Sequence, residues 1–106
     1  MNGIDIDKRK TLSYFMHMQL DWNPAKNQWL KENRGVTFEE IVCLLDEGYL
    51  RAILKHPNKP NQKILVVERE GYAYNVPFIV KPDGTYFLKT VYPSRASTQK
   101  YIGAIK

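Results

Sequence analysis

At Gly48 the hydrophobic period of this chain changes. Upstream, apolar residues recur at helical spacing between helix caps. Downstream, short alternating or β-branched runs are separated by turn signals. The upstream part holds two helices. In "NPAKNQWLKENRG", Asn23 is placed to cap and Pro24 suits the first helical position. Ala25 and Trp29 lie one turn apart beside Leu30, and Gly35 suits the left-handed stop. In "VTFEEIVCLLDEG", Thr37 and Glu40 form a capping-box pair. Phe38, Ile41, Val42 and Leu45 fall on one stripe, and Gly48 ends the helix.

Four strands follow: "YLRAILKH", "KILVVERE", "YAYNVPFIV" and "TYFLKTVY". Glu70-Gly71 and "KPDG" are tight-turn signals, and connections this short make an antiparallel meander. Pro77 has no N–H for a ladder, so an edge or a bulge is expected beside it. A short helix over about 95–102, capped by Ser94 or Ser97 and stopped at Gly103, closes the chain. "YFMHMQLDW" reads as a short strand before the first helix. The prediction is an α+β fold. A short N-terminal strand precedes two helices, which pack on one face of a mostly antiparallel four- to five-stranded sheet. The opposite face is expected to stay at least partly open. Residues 1–17 mix charges without periodicity and read as a loose extension to a single domain over 18–106.

Charge narrows the function. The net charge is +5, but residues 1–46 carry −1 and residues 47–106 carry +6, so the strand-rich part is the basic half. Basic sheets suit nucleic acid or acidic protein partners. With two histidines, one cysteine and no carboxylate cluster in the basic half, no metal site is visible and no cofactor is implied. Cys43 lies among Glu39, Glu40, Asp46 and Glu47, which disfavours thiolate chemistry. A lone cysteine fits a reducing, cytoplasmic setting. No apolar run is long enough to span a membrane.

Strand alternation suggests a binding surface. Arg51, Ile53 and Lys55 share one face of their strand; Lys63, Leu65, Val67 and Arg69 share one face of the next; Phe87, Lys89 and Val91 share one face of the last. If those faces coincide on the open side, cations interleave with apolar and aromatic surface, as in proteins that bind single-stranded RNA. The alternative is a set of ordinary solvated side chains. His56, in "LKHPNKP" between Lys55 and Lys59, is a candidate proton acceptor. Arg95 opens the last short helix, with Lys100 and Tyr101 following it. Its planar fork suits phosphate oxygens, and surface trim is the competing reading.

The segments "LDWNPAKNQWLKENRGVTFEE" and "PSRASTQKY" resemble the BrnT-type toxins of bacterial toxin–antitoxin pairs, which are similar in fold to the wider RelE-like ribonuclease toxins. Trp22, Asn23, Lys26 and Asn27 match a Trp-Asp-x-x-Lys motif, with Asn23 in place of aspartate. Gly35, Val36, Thr37, Phe38, Glu39 and Glu40 match "GVSFEE". Arg95 and Thr98 match a terminal Arg-x-Ala-Thr motif, after which Gln99 or Lys100 stands where an acidic residue is common. The resemblance covers about residues 19–101. It implies a toxin that cleaves mRNA, free or on the ribosome, without a metal. It also implies a cognate antitoxin partner, usually a ribbon-helix-helix protein, in a hetero-oligomer. In such chemistry the substrate's 2′-hydroxyl attacks the adjacent phosphate while the protein moves protons and stabilises charge. Arg95 carries over by motif. By their chemistry, Lys55, His56 and Arg69 join it as catalytic candidates, and Arg51, Lys63, Lys89, Lys100 and Tyr101 are the RNA-binding candidates.

Overall fold

Asn23 starts the first helix as its sequence dictates. Its side-chain oxygen accepts from the N–H groups of Ala25 and Lys26, and Pro24 occupies the first turn, where no donor is needed. The computed structural model describes residues 19–103. The expected extension over 1–17 and the first residues of the expected N-terminal strand lie outside them. β1 is Leu20–Trp22, α1 is Pro24–Arg34 and α2 is Phe38–Asp46. Then come β2 (Leu50–Lys55), β3 (Lys63–Arg69), β4 (Tyr72–Val80), β5 (Tyr86–Leu88) and β6 (Tyr92–Pro93). The C-terminal helix, Arg95–Ser97, passes into a π-helical stretch, Thr98–Ile102, that stops at Gly103 in the left-handed conformation.

The sheet runs β1-β5-β4-β3-β2, with β6 also paired to β4. β2 through β5 form the expected antiparallel meander, and β1 adds in parallel beside β5. Glu70 and Gly71 both have positive φ, 53° and 80°, the conformation of a two-residue hairpin turn whose twist matches its strands. α1 and α2 cover one face. Leu30, Phe38, Ile41 and Leu45 meet Leu65, Val67, Val76, Phe78, Tyr86 and Leu88 in one buried cluster. Val42, expected on that stripe, is only half-buried. Ala25 and Trp29 are exposed, so Leu30 alone anchors α1 from its predicted apolar group.

Two polar locks fix the helices. Asn27 accepts from the N–H of Phe38 and donates to the carboxylate of Glu39, tying α1 to the start of α2. The capping box is half-formed. Thr37 accepts from the N–H of Glu40, but the Glu40 carboxylate turns to Arg69 at 2.6 Å. Arg69 also donates to the carbonyl of Gly35 and the hydroxyl of Tyr74, so its guanidinium joins α2, the α1–α2 connection and β4.

The opposite face is covered in part. The C-terminal helix lies against β4 and β2, and Val66 and Ala73 are fully buried although they point away from α1 and α2. The polar anchor is Thr98. Its hydroxyl accepts from the N–H of Ala73 at 2.8 Å and donates to the carbonyl of Ser94 at 2.7 Å. Ser94 caps the helix through the N–H of Ser97, and its own N–H donates to the carbonyl of Ala73. Among the described residues, no helix is long and apolar enough to cross a membrane.

Two outcomes are expected. Thr98→Val preserves volume but strands the buried N–H of Ala73, and should cost about 1–3 kcal/mol in urea unfolding. Thr98→Ser, which keeps the hydroxyl, should cost clearly less. Asn27→Ala should lose about 1 kcal/mol through the orphaned Phe38 N–H. It should also flatten the pH dependence. The Asn27 amide is the main cause that holds the Glu39 carboxyl below its ordinary value. That contribution is present above the ordinary carboxylate range and is lost as pH falls through the depressed folded value. A stability–pH curve for Asn27→Ala parallel to that of the wild type would contradict the assignment.

Candidate nucleic-acid interface

The connection from β2 to β3 builds the first cluster. Lys55 and Lys63 are register partners at the end of that ladder. The loop between them folds back through the N–H of His56 on the carbonyl of Gln62 and the N–H of Gln62 on the carbonyl of Lys59. Lys55, His56, Asn58, Gln62 and Lys63, with two prolines, line a cleft of about 540 Å³. No carboxylate lines it. Neither lysine makes an ion pair with any described residue, and both are exposed. His56 is oriented by its own loop, since the N–H of Asn58 donates to Nδ1 at 3.1 Å. In the neutral ring the proton therefore sits on Nε2, the nitrogen left free to meet a ligand.

Arg95 stands elsewhere. Ser94 and Thr98 pin the start of its helix to Ala73, while Lys63 pairs with Phe78, five residues further along β4. At strand rise, that separates the two places by roughly 17 Å. Arg95 is exposed and makes no hydrogen bond or ion pair with any described residue. Its neighbours Ser94, Ser97 and Thr98 are all engaged in structure.

The shared cationic face expected from strand alternation does not form. The face of β3 that carries Lys63, Leu65, Val67 and Arg69 is the one covered by α1 and α2, and Leu65 and Val67 are fully buried in the core. Phe87 pairs with Ile79 on the other side of the sheet. β5 stops at Leu88, so the alternation to Lys89 and Val91 is broken, and Val91 enters the core. The β2–β3 register shifts between Leu50 and Ala52. The bulge turns Arg51 toward Glu68 on the far face, away from Ile53 and Lys55.

The nine sequence candidates thus divide by charge state. Arg51 is paired with Glu68 at 2.8 Å and Arg69 with Glu40 at 2.6 Å. The Arg69 guanidinium is held even more firmly charged than usual, chiefly by its hydrogen bond to Glu40. Lys100 lies over the ring of Tyr101 at 5.5 Å. Lys55, His56 and Lys63 come together; Arg95 is fixed apart from them.

Lys89 belongs to a second cleft. Its N–H donates to the carbonyl of Pro77, and its side chain, with Phe87, faces Asn23, Ala25, Lys26 and Trp29 of α1 across a space of about 670 Å³. The strand reading found Phe87 and Lys89 but missed Lys26 and Trp29. The available signal was a lysine three residues before a tryptophan on a helix whose buried stripe begins only at Leu30.

No protein-family model matches this chain, and no curated protein matches it. Among solved structures, it is similar to the crystal structure of the Brucella abortus ribonuclease toxin BrnT. The TM-score is 0.54 at 15% sequence identity, over 73% of this chain and 96% of that one. At that identity the likeness is one of fold, and this chain has a BrnT-like α+β architecture.

Proposed function

We propose that this protein is the toxin of a toxin–antitoxin pair and cleaves single-stranded RNA without a metal. The observation that carries the reading is Arg95. Ser94 and Thr98 fix the start of its helix to Ala73 of β4, and its guanidinium makes no hydrogen bond or ion pair with any described residue. Such a group binds phosphate oxygens without first giving up an ion pair. The fold likeness to a ribonuclease toxin supports the same reading.

The chemistry belongs to the Lys55–His56–Lys63 cleft. The substrate's 2′-oxygen forms a bond to phosphorus and the bond to the 5′-oxygen breaks, leaving a 2′,3′-cyclic phosphate and a 5′-hydroxyl. In this scheme Lys55 or His56 relays the 2′ proton, which ends on the departing 5′-oxygen, and Lys63 offsets charge on the pentacoordinate phosphorus. Arg95, some strand length away, grips a flanking phosphate of the same strand. Arg51 and Arg69 are already neutralised by carboxylates and serve the fold first. Lys100 and Tyr101 extend the grip beyond Arg95. The partner would be an antitoxin, of ribbon-helix-helix type in the family this chain resembles, acting in the cytoplasm.

A second reading has its own support. The Nδ1 lone pair of His56 is taken by the N–H of Asn58, and Arg95 is distant from the lysine pair. Those facts suit a non-catalytic basic protein that docks an acidic partner or antitoxin. Incubation of the full chain with a defined single-stranded RNA in excess EDTA separates the two. Cleavage with cyclic-phosphate ends is expected, with His56→Ala slowing it by about a hundredfold or more. Arg95→Ala should weaken RNA affinity and lower the salt slope by about 0.7 log units, the share of one single-strand phosphate contact. Intact RNA after prolonged incubation with folded protein would leave the binding reading in its place.

A further inference from the structure

Two aromatic rings on this molecule each carry two cations. Lys26 Nζ lies 4.2 Å from the ring centroid of Trp29 and the Arg34 guanidinium carbon 4.9 Å from it. Lys81 Nζ lies 4.5 Å from the ring centroid of Phe87 and Lys89 Nζ 5.4 Å from it. Trp29 is 41% exposed. Both rings, with Lys26 and Lys89, line the cleft between α1 and the end of β5, and no carboxylate lines it. Asn23 caps α1 at its mouth and no acidic residue occupies the first turn, so the helix end adds to the positive field. Asp21, the register partner of Phe87, accepts from the backbone N–H of Trp22.

From this we infer that the α1–β5 cleft is a nucleobase-stacking subsite for single-stranded nucleic acid, with Trp29 and Phe87 as platforms and Lys26, Lys81 and Lys89 as phosphate grips. The rings decide between classes of ligand. An acidic peptide needs the cations but has no use for the rings of exposed Trp29 and half-buried Phe87, whereas every base has a face to stack. Lys26 and Lys89 rest on the rings with no ion pair to any described residue, while Lys81 also lies in the field of Asp83, whose carboxyl it helps to hold below its ordinary value. A base entering the cleft displaces each ammonium from ring to phosphate and keeps its charge compensated. Arg34 donates to the carbonyl of Val91 at 2.7 Å, which holds it beside the Trp29 ring. The inference deepens the RNA reading above, and depends on it only for the choice of RNA as the natural strand.

The test is equilibrium binding of the full chain to a short fluorescein-labelled oligodeoxynucleotide and its 2′-O-methyl RNA counterpart, neither of which offers a 2′-hydroxyl for cleavage. Trp29→Ala and Phe87→Leu should each weaken binding by about tenfold to a hundredfold, the usual range for losing a stacking platform. Trp29→Phe should recover most of the loss. Lys89→Ala should lower the slope of log affinity against log salt by about 0.7, one single-strand phosphate contact. Circular dichroism and melting of each variant confirm the fold, which an exposed Trp29 leaves secure. Unchanged affinity in folded Trp29→Ala overturns the inference. So does a polyglutamate peptide that binds as tightly and shows the same losses, since the cleft would then be a protein dock. Binding that depends on Trp29 in a protein that cleaves no RNA would retain the subsite and refute the ribonuclease reading. Cleavage with no dependence of binding on Trp29 would do the reverse.

Discussion

β4 has one neighbour on one side and two on the other, and the rest of the molecule follows from that division. β3 pairs along its full length from Tyr72 to Phe78. On the other side β5 pairs only with Phe78 to Val80, and β6 only with Tyr74 and Asn75. Pro77 sits in the gap. Its carbonyl accepts from Lys89 on that side, so its missing N–H falls where no strand waits for it. Because the partner strand breaks there, Lys89 leaves the sheet to face α1 and Val91 turns into the core. The chain then re-enters as β6 and delivers Ser94 to Ala73. The stacking cleft and the mount of Arg95 are both consequences of one interrupted ladder.

The distribution of ion pairs then separates structural cations from free ones. Arg69, only 16% exposed, has Glu40, Gly35 and Tyr74 as partners, and its charge is compensated where burial would otherwise penalise it. Arg51 closes on Glu68 beside the β2 bulge. Lys55, Lys63 and Arg95 have no such partner among the described residues and carry the positive field into solvent, where a polyanion can neutralise it and release counterions. A net charge of +5 therefore understates the local imbalance, because the acidic residues of the basic half, such as Glu68 and Glu70, sit beside Arg51 and Arg69.

Much of the architecture was legible because it is written in local chemistry. Asn23, Thr37, Ser94, Gly35 and Gly103 cap or stop helices through their own side chains or their freedom at positive φ. Glu70-Gly71 and the turn before Thr85 close hairpins in the same way. The site was less legible. Alternation assigns residues to faces only while a ladder stays in register, and here it fails twice, at the bulge by Arg51 and at the end of β5 by Lys89. Glu40 shows a subtler failure: its sequence position favours a capping box, but the half-buried guanidinium of Arg69 offers a stronger partner than a backbone N–H.

The sequence by itself determined the order of the helices and main strands, the helix ends, the two-helix layer and the placement of positive charge in the strand-rich half. Those depend on residues within a few positions of one another. Only the tertiary structure decided which cations are spent on the fold and which remain free. It also decided that the C-terminal helix covers the second sheet face over β4 and β2, and that Trp29 and Lys26 meet Phe87 and Lys89 across some sixty residues of chain. Pairing partners and strand register depend on contacts distant in sequence, and a one-residue shift in register exchanges every side chain between the two faces of the sheet.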